Sequence, residues 1–137
     1  MTLPASLLDQ LRRVRLLALD VDGVLTDGRL YFQADGIEIK AFHTQDGHGL
    51  KLLKRVGVHV ALITGRDSPM VSQRAAALGI DHVHQGCEDK LATLRGLCQR
   101  LDIELEQVAY CGDDLPDLAA IKRCGVGITV PNAPDYM

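Results

Sequence analysis

Four short stretches of this chain are apolar at nearly every position: Leu16–Leu19, Val58–Ile63, Val108–Cys111 and Val126–Val130. Such unbroken runs suit strands covered on both faces, because a half-exposed strand would alternate apolar and polar side chains. A further short strand is expected at His82–His84. Between these runs the apolar positions recur at helical spacing. Pro4–Leu11 reads as a short helix with Pro in its first turn. Another helical pattern starts at Gly47 and stops at Gly57, a residue suited to the left-handed position beyond a helix end. Ser68-Pro69 reads as N-cap and first helical residue of a helix with Val71, Ala75 and Leu78 on one face, ended by Gly79. Leu91, Leu94, Cys98 and Leu101 mark the next helix, and a short one is expected near Leu115–Ile121. Arg29–Gln33 and Ile37–Phe42 are β-like and are joined by Ala34-Asp35-Gly36, a hairpin signal.

Apolar strands alternating with amphipathic helices predict an α/β fold, a parallel sheet covered on both sides. Ligands bind such sheets beyond the carboxyl ends of the strands, where the strand order reverses. Residues that follow a strand are therefore the informative ones. They are Asp20-Val21-Asp22-Gly23 after the first, Thr64-Gly65-Arg66 after the second and Gly112-Asp113-Asp114 after a later one. Asp20 and Asp22, two apart in extended backbone, would face the same side. With Asp113 and Asp114 nearby, several carboxylates crowd together. Two like charges about 4 Å apart repel by about 4 kcal/mol at an effective dielectric of 20. Protonation or a cation relieves this, and an all-oxygen donor set without His or Cys favours a hard ion such as Mg²⁺. Thr64 would add a hydroxyl, and Lys90, opening a helix after Glu88 and Asp89, an ammonium. That set suits phosphoryl transfer, in which the protein mainly positions and neutralises.

Composition narrows the remaining classes. The 137 residues are read as one domain, residues 1–137, without repeats or linkers. A formal charge of −3, no Trp and no basic stripe with interleaved aromatics give no reason to expect nucleic acid. No apolar run approaches the roughly 20 residues a membrane-spanning helix needs. Leu7, Leu8 and Leu11 are broken by Asp9 and followed by Arg12 and Arg13, unlike a secretory signal. Cys87, Cys98, Cys111 and Cys124 lie 11 to 13 residues apart, which suits free thiols in a reducing cytoplasm rather than zinc or a disulfide framework.

Asp20-Val21-Asp22-Gly23-Val24-Leu25, Thr64-Gly65-Arg66, Lys90 and Gly112-Asp113-Asp114-Leu115-Pro116-Asp117 resemble, in order, the four motifs of the haloacid dehalogenase (HAD) superfamily. The longer string through Thr26-Asp27-Gly28, with Phe42, Asp46-Gly47 and Gln85-Gly86, resembles the 3-deoxy-D-manno-octulosonate 8-phosphate (KDO 8-phosphate) phosphatases and their sialic-acid-type relatives. The similarity runs from about Val14 onward. It implies a Rossmann-like three-layer α/β/α fold and a Mg²⁺-dependent phosphomonoesterase. The substrate is expected to be KDO 8-phosphate, a lipopolysaccharide precursor, or alternatively a nonulosonate 9-phosphate. Asp20 would be the nucleophile and Asp22 the general acid and base. Mg²⁺ would be held by Asp20, the backbone carbonyl of Asp22 and Asp113, with Thr64 and Lys90 on the phosphoryl oxygens. Asp114 and Asp117 would orient the metal's waters and Lys90. Thr26, Gly65, Arg66 and His48 are the candidates for substrate contacts, Arg66 because a planar guanidinium suits carboxylate or phosphate.

Only about 40 residues separate Asp22 from Thr64, and the hairpin plus one helix use them, so no cap domain is expected, only a small hairpin flap after the first strand. The resemblance implies a homotetramer in which hairpins assemble and a neighbour covers the crevice. It also implies a further C-terminal helix and tail after Pro131-Asn132-Ala133-Pro134. Two other classes compete. A signalling receiver domain also gathers Asp, Thr, Lys and Mg²⁺, but its phosphorylated Asp follows a middle strand, an order absent before Thr64. A catalytically silent interaction protein would not require the intact acids, Thr64 and Lys90.

Overall fold

The computed structural model describes residues 2–137. Its elements are α1 (Ala5–Arg12), β1 (Leu16–Leu19), β2 (Tyr31–Phe32), β3 (Glu38–Ile39), α2 (Thr44–Arg55), β4 (His59–Ile63), α3 (Pro69–Leu78), β5 (His82–His84), α4 (Lys90–Leu101), β6 (Val108–Cys111), α5 (Leu115–Arg123) and β7 (Val126–Ile128). A short 3₁₀ turn, Leu105–Gln107, leads into β6. β1 and β4–β7 form one parallel sheet in the order β5-β4-β1-β6-β7. Along the chain the sheet grows from β1 to β4 and β5 on one side, then crosses back to β6 and β7 on the other. The switch point thus falls at β1, between β4 and β6.

The continuous apolar runs have their expected cause. Alternate residues of β1, β4 and β6 feed two cores. Leu16, Ala18, Ala61, Ile63, Val108 and Tyr110 pack with Leu94, Leu97 and Ala120 of α4 and α5. Leu19, Val60, Leu62 and Cys111 pack with Leu50, Val71, Ala75 and Leu78 of α2 and α3. This is the three-layer α/β/α architecture, with a hairpin flap after β1 and, among the described residues, no cap domain. No helix among the described residues is long and apolar enough to cross a membrane.

Three expectations are corrected in detail, and one that holds, the Ser68 N-cap, is refined. α2 begins at Thr44 rather than Gly47, because the ring nitrogen of His43 accepts the Gln45 N–H at 3.2 Å, an N-cap that propensity does not flag. Ser68 is the N-cap of α3, yet its side chain caps nothing; its own N–H donates to Gln85 Oε1 at 2.8 Å. The hairpin pairs only Tyr31 with Ile39 and Phe32 with Glu38, although its turn forms where Asp35-Gly36 stands. Gly36 takes φ +84°, and Asp35 Oδ1 accepts the Ile37 N–H at 3.0 Å. The last strand ends at Ile128, not Val130. Gly79, by contrast, ends α3 in the left-handed conformation at φ +65°, as its position suggests.

Gly125 sits where the chain leaves α5 under the 3₁₀ turn, and its N–H donates to Leu105 O at 2.9 Å. A Cβ there would lie 2.0 Å from the Glu106 carbonyl oxygen, a backbone atom that cannot swing aside. Gly125→Ala is expected to lower stability by about 1–3 kcal/mol. Urea unfolding with an unchanged midpoint would disprove this packing.

Candidate active site

β4, β1 and β6 are adjacent, so the residues beyond their carboxyl ends meet. A crevice of about 270 Å³ is lined by Asp20, Asp22, Thr64, Gly65, Arg66, Lys90, Asp113, Asp114, Pro116 and Asp117. Asp20 and Asp22 reach it by a different route from the one expected. β1 ends at Leu19, and the chain then coils, with Val24, Leu25 and Thr26 N–H groups all donating to Val21 O. Gly23 takes φ +89°, and a Cβ there would lie 1.9 Å from Asp113 Oδ2. Only a glycine lets the Asp113 carboxylate come so close.

The centre of the crevice is an ion triad. Lys90 Nζ lies 2.8 Å from Asp20 Oδ2 and 2.8 Å from Asp117 Oδ1. All three side chains are buried, and Asp117 is wholly inaccessible. Lys90 opens α4, where a cation opposes the helix dipole. Burial alone would also lower its pKa, yet Asp20 and Asp117 outweigh it and hold the ammonium above its ordinary value. Asp117 accepts four times: from Lys90, from the Tyr110 hydroxyl at 3.0 Å, and from the Asp113 and Asp114 N–H groups at 3.1 and 3.4 Å. Gly112 makes room for it, since a Cβ there would lie 2.3 Å from Asp117 Cβ. Asp114 caps α5, taking the Leu115 N–H at 2.7 Å and the Tyr136 hydroxyl, whose bond holds its pKa low.

Two candidates for substrate contacts lie elsewhere. Thr26 does not line the crevice; its hydroxyl oxygen accepts the Gly23 and Gly28 N–H groups, each at 3.2 Å, and pins the coil. His48 is exposed on α2, outside the lining. Conversely, sequence reasoning missed Glu38, Lys40 and Tyr110. Lys40 Nζ lies 2.5 Å from Asp22 Oδ1 and 3.1 Å from Glu38 Oε1, and Arg66 reaches Glu38 Oε2 at 2.8 Å. The same-face spacing of Glu38 and Lys40 in the β-like run Ile37–Phe42 was the available signal; a flap residue reads as solvated until the flap is folded down.

Residues 31–125 match the family described as haloacid dehalogenase-like hydrolase. The chain belongs to this family. The 3-deoxy-D-manno-octulosonate 8-phosphate phosphatase of Escherichia coli K12 is 42% identical over 129 residues, 94% of this chain and 69% of that protein. The corresponding phosphatase of Moraxella catarrhalis, crystallised with magnesium, phosphate and KDO, superposes with a TM-score of 0.91 at 50% identity, over 93% of this chain and 73% of that one. The cobalt-bound phosphatase from Haemophilus influenzae superposes at 0.89 with 42% identity, over 93% and 74%.

In this HAD chain the acids fit a hard divalent cation. Oxygens of Asp20, Asp113 and Asp117 lie within 4.8 Å of one another. Asp117 is saturated by its four donors, which leaves Asp20 and Asp113 as the carboxylates able to turn towards an ion. Asp113 is raised by burial and then by the charges of Asp117 and Asp114. Burial likewise raises Asp20, only partly offset by Lys90, to about 6 from 3.8. For an acid shifted upward, the stabilising contribution is present below the unfolded pKa and lost as pH rises through the folded one, here from about 4 to about 6. A divalent ion competes with that proton. At about 100-fold excess over its dissociation constant, Mg²⁺ should raise the melting temperature by about 10 °C at pH 7.5 and by about half that at pH 5. Equal shifts at both pH values in calorimetry would show that no carboxyl titrating between them competes with the ion.

Proposed function

We propose that this chain is a Mg²⁺-dependent phosphomonoesterase that hydrolyses KDO 8-phosphate to KDO and phosphate, with Asp20 as nucleophile. The observation that carries the reading is the convergence of Asp20, Asp22, Thr64, Lys90 and Asp113 on one crevice at the switch point. Its support from outside the chain is the half-identical Moraxella phosphatase, which was crystallised with magnesium, phosphate and KDO. The related proteins named above do not favour the nonulosonate 9-phosphate alternative.

Asp20 attacks phosphorus as the bond to the sugar oxygen breaks, and Asp22 delivers a proton to that departing oxygen. Water then attacks the phosphorus, gives its proton to Asp22 and breaks the Asp20–phosphorus bond, so both acids return to their starting state. Lys90 has three N–H donors and commits two to Asp20 and Asp117, which leaves one for a phosphoryl oxygen. Thr64, buried at the end of β4, is held by its backbone: its N–H donates to His84 O at 2.9 Å and its carbonyl accepts from Cys87 at 3.0 Å. It would offer its hydroxyl, and Gly65 its open backbone, to the phosphate. Bound Mg²⁺, held by Asp20, the Asp22 carbonyl and Asp113, would neutralise the charge between carboxylate and phosphate dianion. Asp114 would orient its waters. Arg66, paired with Glu38 at the rim, would meet the sugar acid. The free thiols suit a cytoplasmic enzyme.

Phosphate release from a panel containing KDO 8-phosphate and a nonulosonate 9-phosphate should favour the former, vanish in Asp20→Asn and fall about 10²–10⁴-fold in Asp22→Asn. Wild-type turnover by Asp20→Asn would refute the nucleophile.

The assembly we infer is a homotetramer built through the hairpin. Leu30, Tyr31, Phe32, Ile37 and Ile39 are all exposed there, Phe32 at 59%. A two-stranded hairpin is marginally stable alone, and an apolar patch of this kind marks an interface. Light scattering should give four times the chain mass; a monomer at assay concentration would remove this inference.

A further inference from the structure

Asp22 is held very differently at its two oxygens. Oδ1 receives the Lys40 ammonium at 2.5 Å. Oδ2 is buried without a hydrogen-bond partner, and Arg66 Nε lies 3.9 Å from it. Lys40 follows β3 on the flap, and its side chain is only 3% exposed. Glu38 holds it from the other side at 3.1 Å, and the same carboxylate binds Arg66. Lys40 therefore has no freedom to swing to solvent, as surface lysines do. It ties the flap to the turn after β1 through one carboxylate oxygen.

We propose that Lys40 is the positioning residue for the Asp22 carboxyl: it fixes Oδ1 so that Oδ2 alone exchanges protons with the leaving oxygen and the attacking water. Glu38 completes the device by orienting Lys40. A carboxylate bonded at neither oxygen would rotate about its terminal torsion, which is broad and two-fold, and would spend much of its time out of reach. Proton transfer needs hydrogen-bond reach, and small misplacements in supporting residues are amplified in rate. Lys40 does not touch the reacting atoms in this arrangement. Its effect passes through Asp22. This role rests on the phosphatase reading above.

The test compares two esters in the presence of Mg²⁺. A sugar phosphate has a poor leaving group that must be protonated as it departs; p-nitrophenyl phosphate leaves as a stable phenolate and needs little help. Lys40→Met is expected to lower kcat on the sugar phosphate about 10²-fold while KM stays near wild type. On p-nitrophenyl phosphate the loss should be several-fold smaller. Lys40→Arg, which keeps a cationic donor, should recover part of the sugar-phosphate rate. If Lys40→Met melts far below wild type, Lys40→Arg and Glu38→Gln carry the same comparison. Equal losses on both esters, or a change confined to KM, in an enzyme that is otherwise active would overturn the role of Lys40 alone. A folded wild-type protein that turns over neither ester would overturn the phosphatase reading and this role with it.

Discussion

Lys90 lies buried between two carboxylates, and much of the molecule is arranged to make that tolerable. Withdrawing an ion from water costs several kcal/mol even after relaxation, and attraction offsets it only when partners and hydrogen bonds are complete. Here completion draws on four elements. β1 delivers Asp20, α4 delivers Lys90, α5 delivers Asp117, and β6 delivers the Tyr110 hydroxyl. Burial, reinforced by the Asp117 and Asp20 charges, pushes that hydroxyl's pKa far upward, so it stays a donor. The N–H groups of Asp113 and Asp114 then close the shell around Asp117. Removing any of these partners leaves a buried charge exposed to its own desolvation.

The same constraint generates the chemistry. The triad satisfies Asp117 fully and Asp20 partly, while Asp113 stands against Gly23 with its proton affinity raised by burial and by its acidic neighbours. The crevice thus holds more negative charge than its lysine balances, which is the condition that draws in a hard cation and, through it, a phosphate dianion. Asp20 and Asp22, one residue apart from adjacency, belong to separate networks. Asp20 faces α4 and the core; Asp22 faces the flap through Lys40. The proposed nucleophile, anchored by the sheet, and the proposed acid, anchored by the flap, can be tuned independently. The outer residues of the same flap are apolar and exposed.

Legibility in the sequence followed the physics of each feature. β1 and β6 were bounded correctly because burial on both faces demands unbroken apolar residues, and the signal starts and stops sharply. The hairpin was overestimated in length because β-like residues were counted without knowing where pairing would end. Only two residue pairs form. The start of α2 was missed because the capping group is a histidine nitrogen. Thr26 and His48 were credited with substrate contacts from their place in motifs, whereas Thr26 spends its hydroxyl on two backbone N–H groups.

By itself the sequence determined the α/β class, the strand-end positions of Asp20, Thr64 and Asp113, and the hardness of the ion they suit. These depend on local patterns: apolar runs, glycine at turns, oxygen donors without nitrogen or sulfur. Tertiary structure alone decided that Asp117, expected only to orient Lys90, would also take the Tyr110 hydroxyl and two backbone N–H groups, and that Lys40 would reach back 18 residues to Asp22. Both outcomes depend on which elements pack together. A charged side chain looks the same in sequence whether water or another charge will surround it, and only the fold settles which.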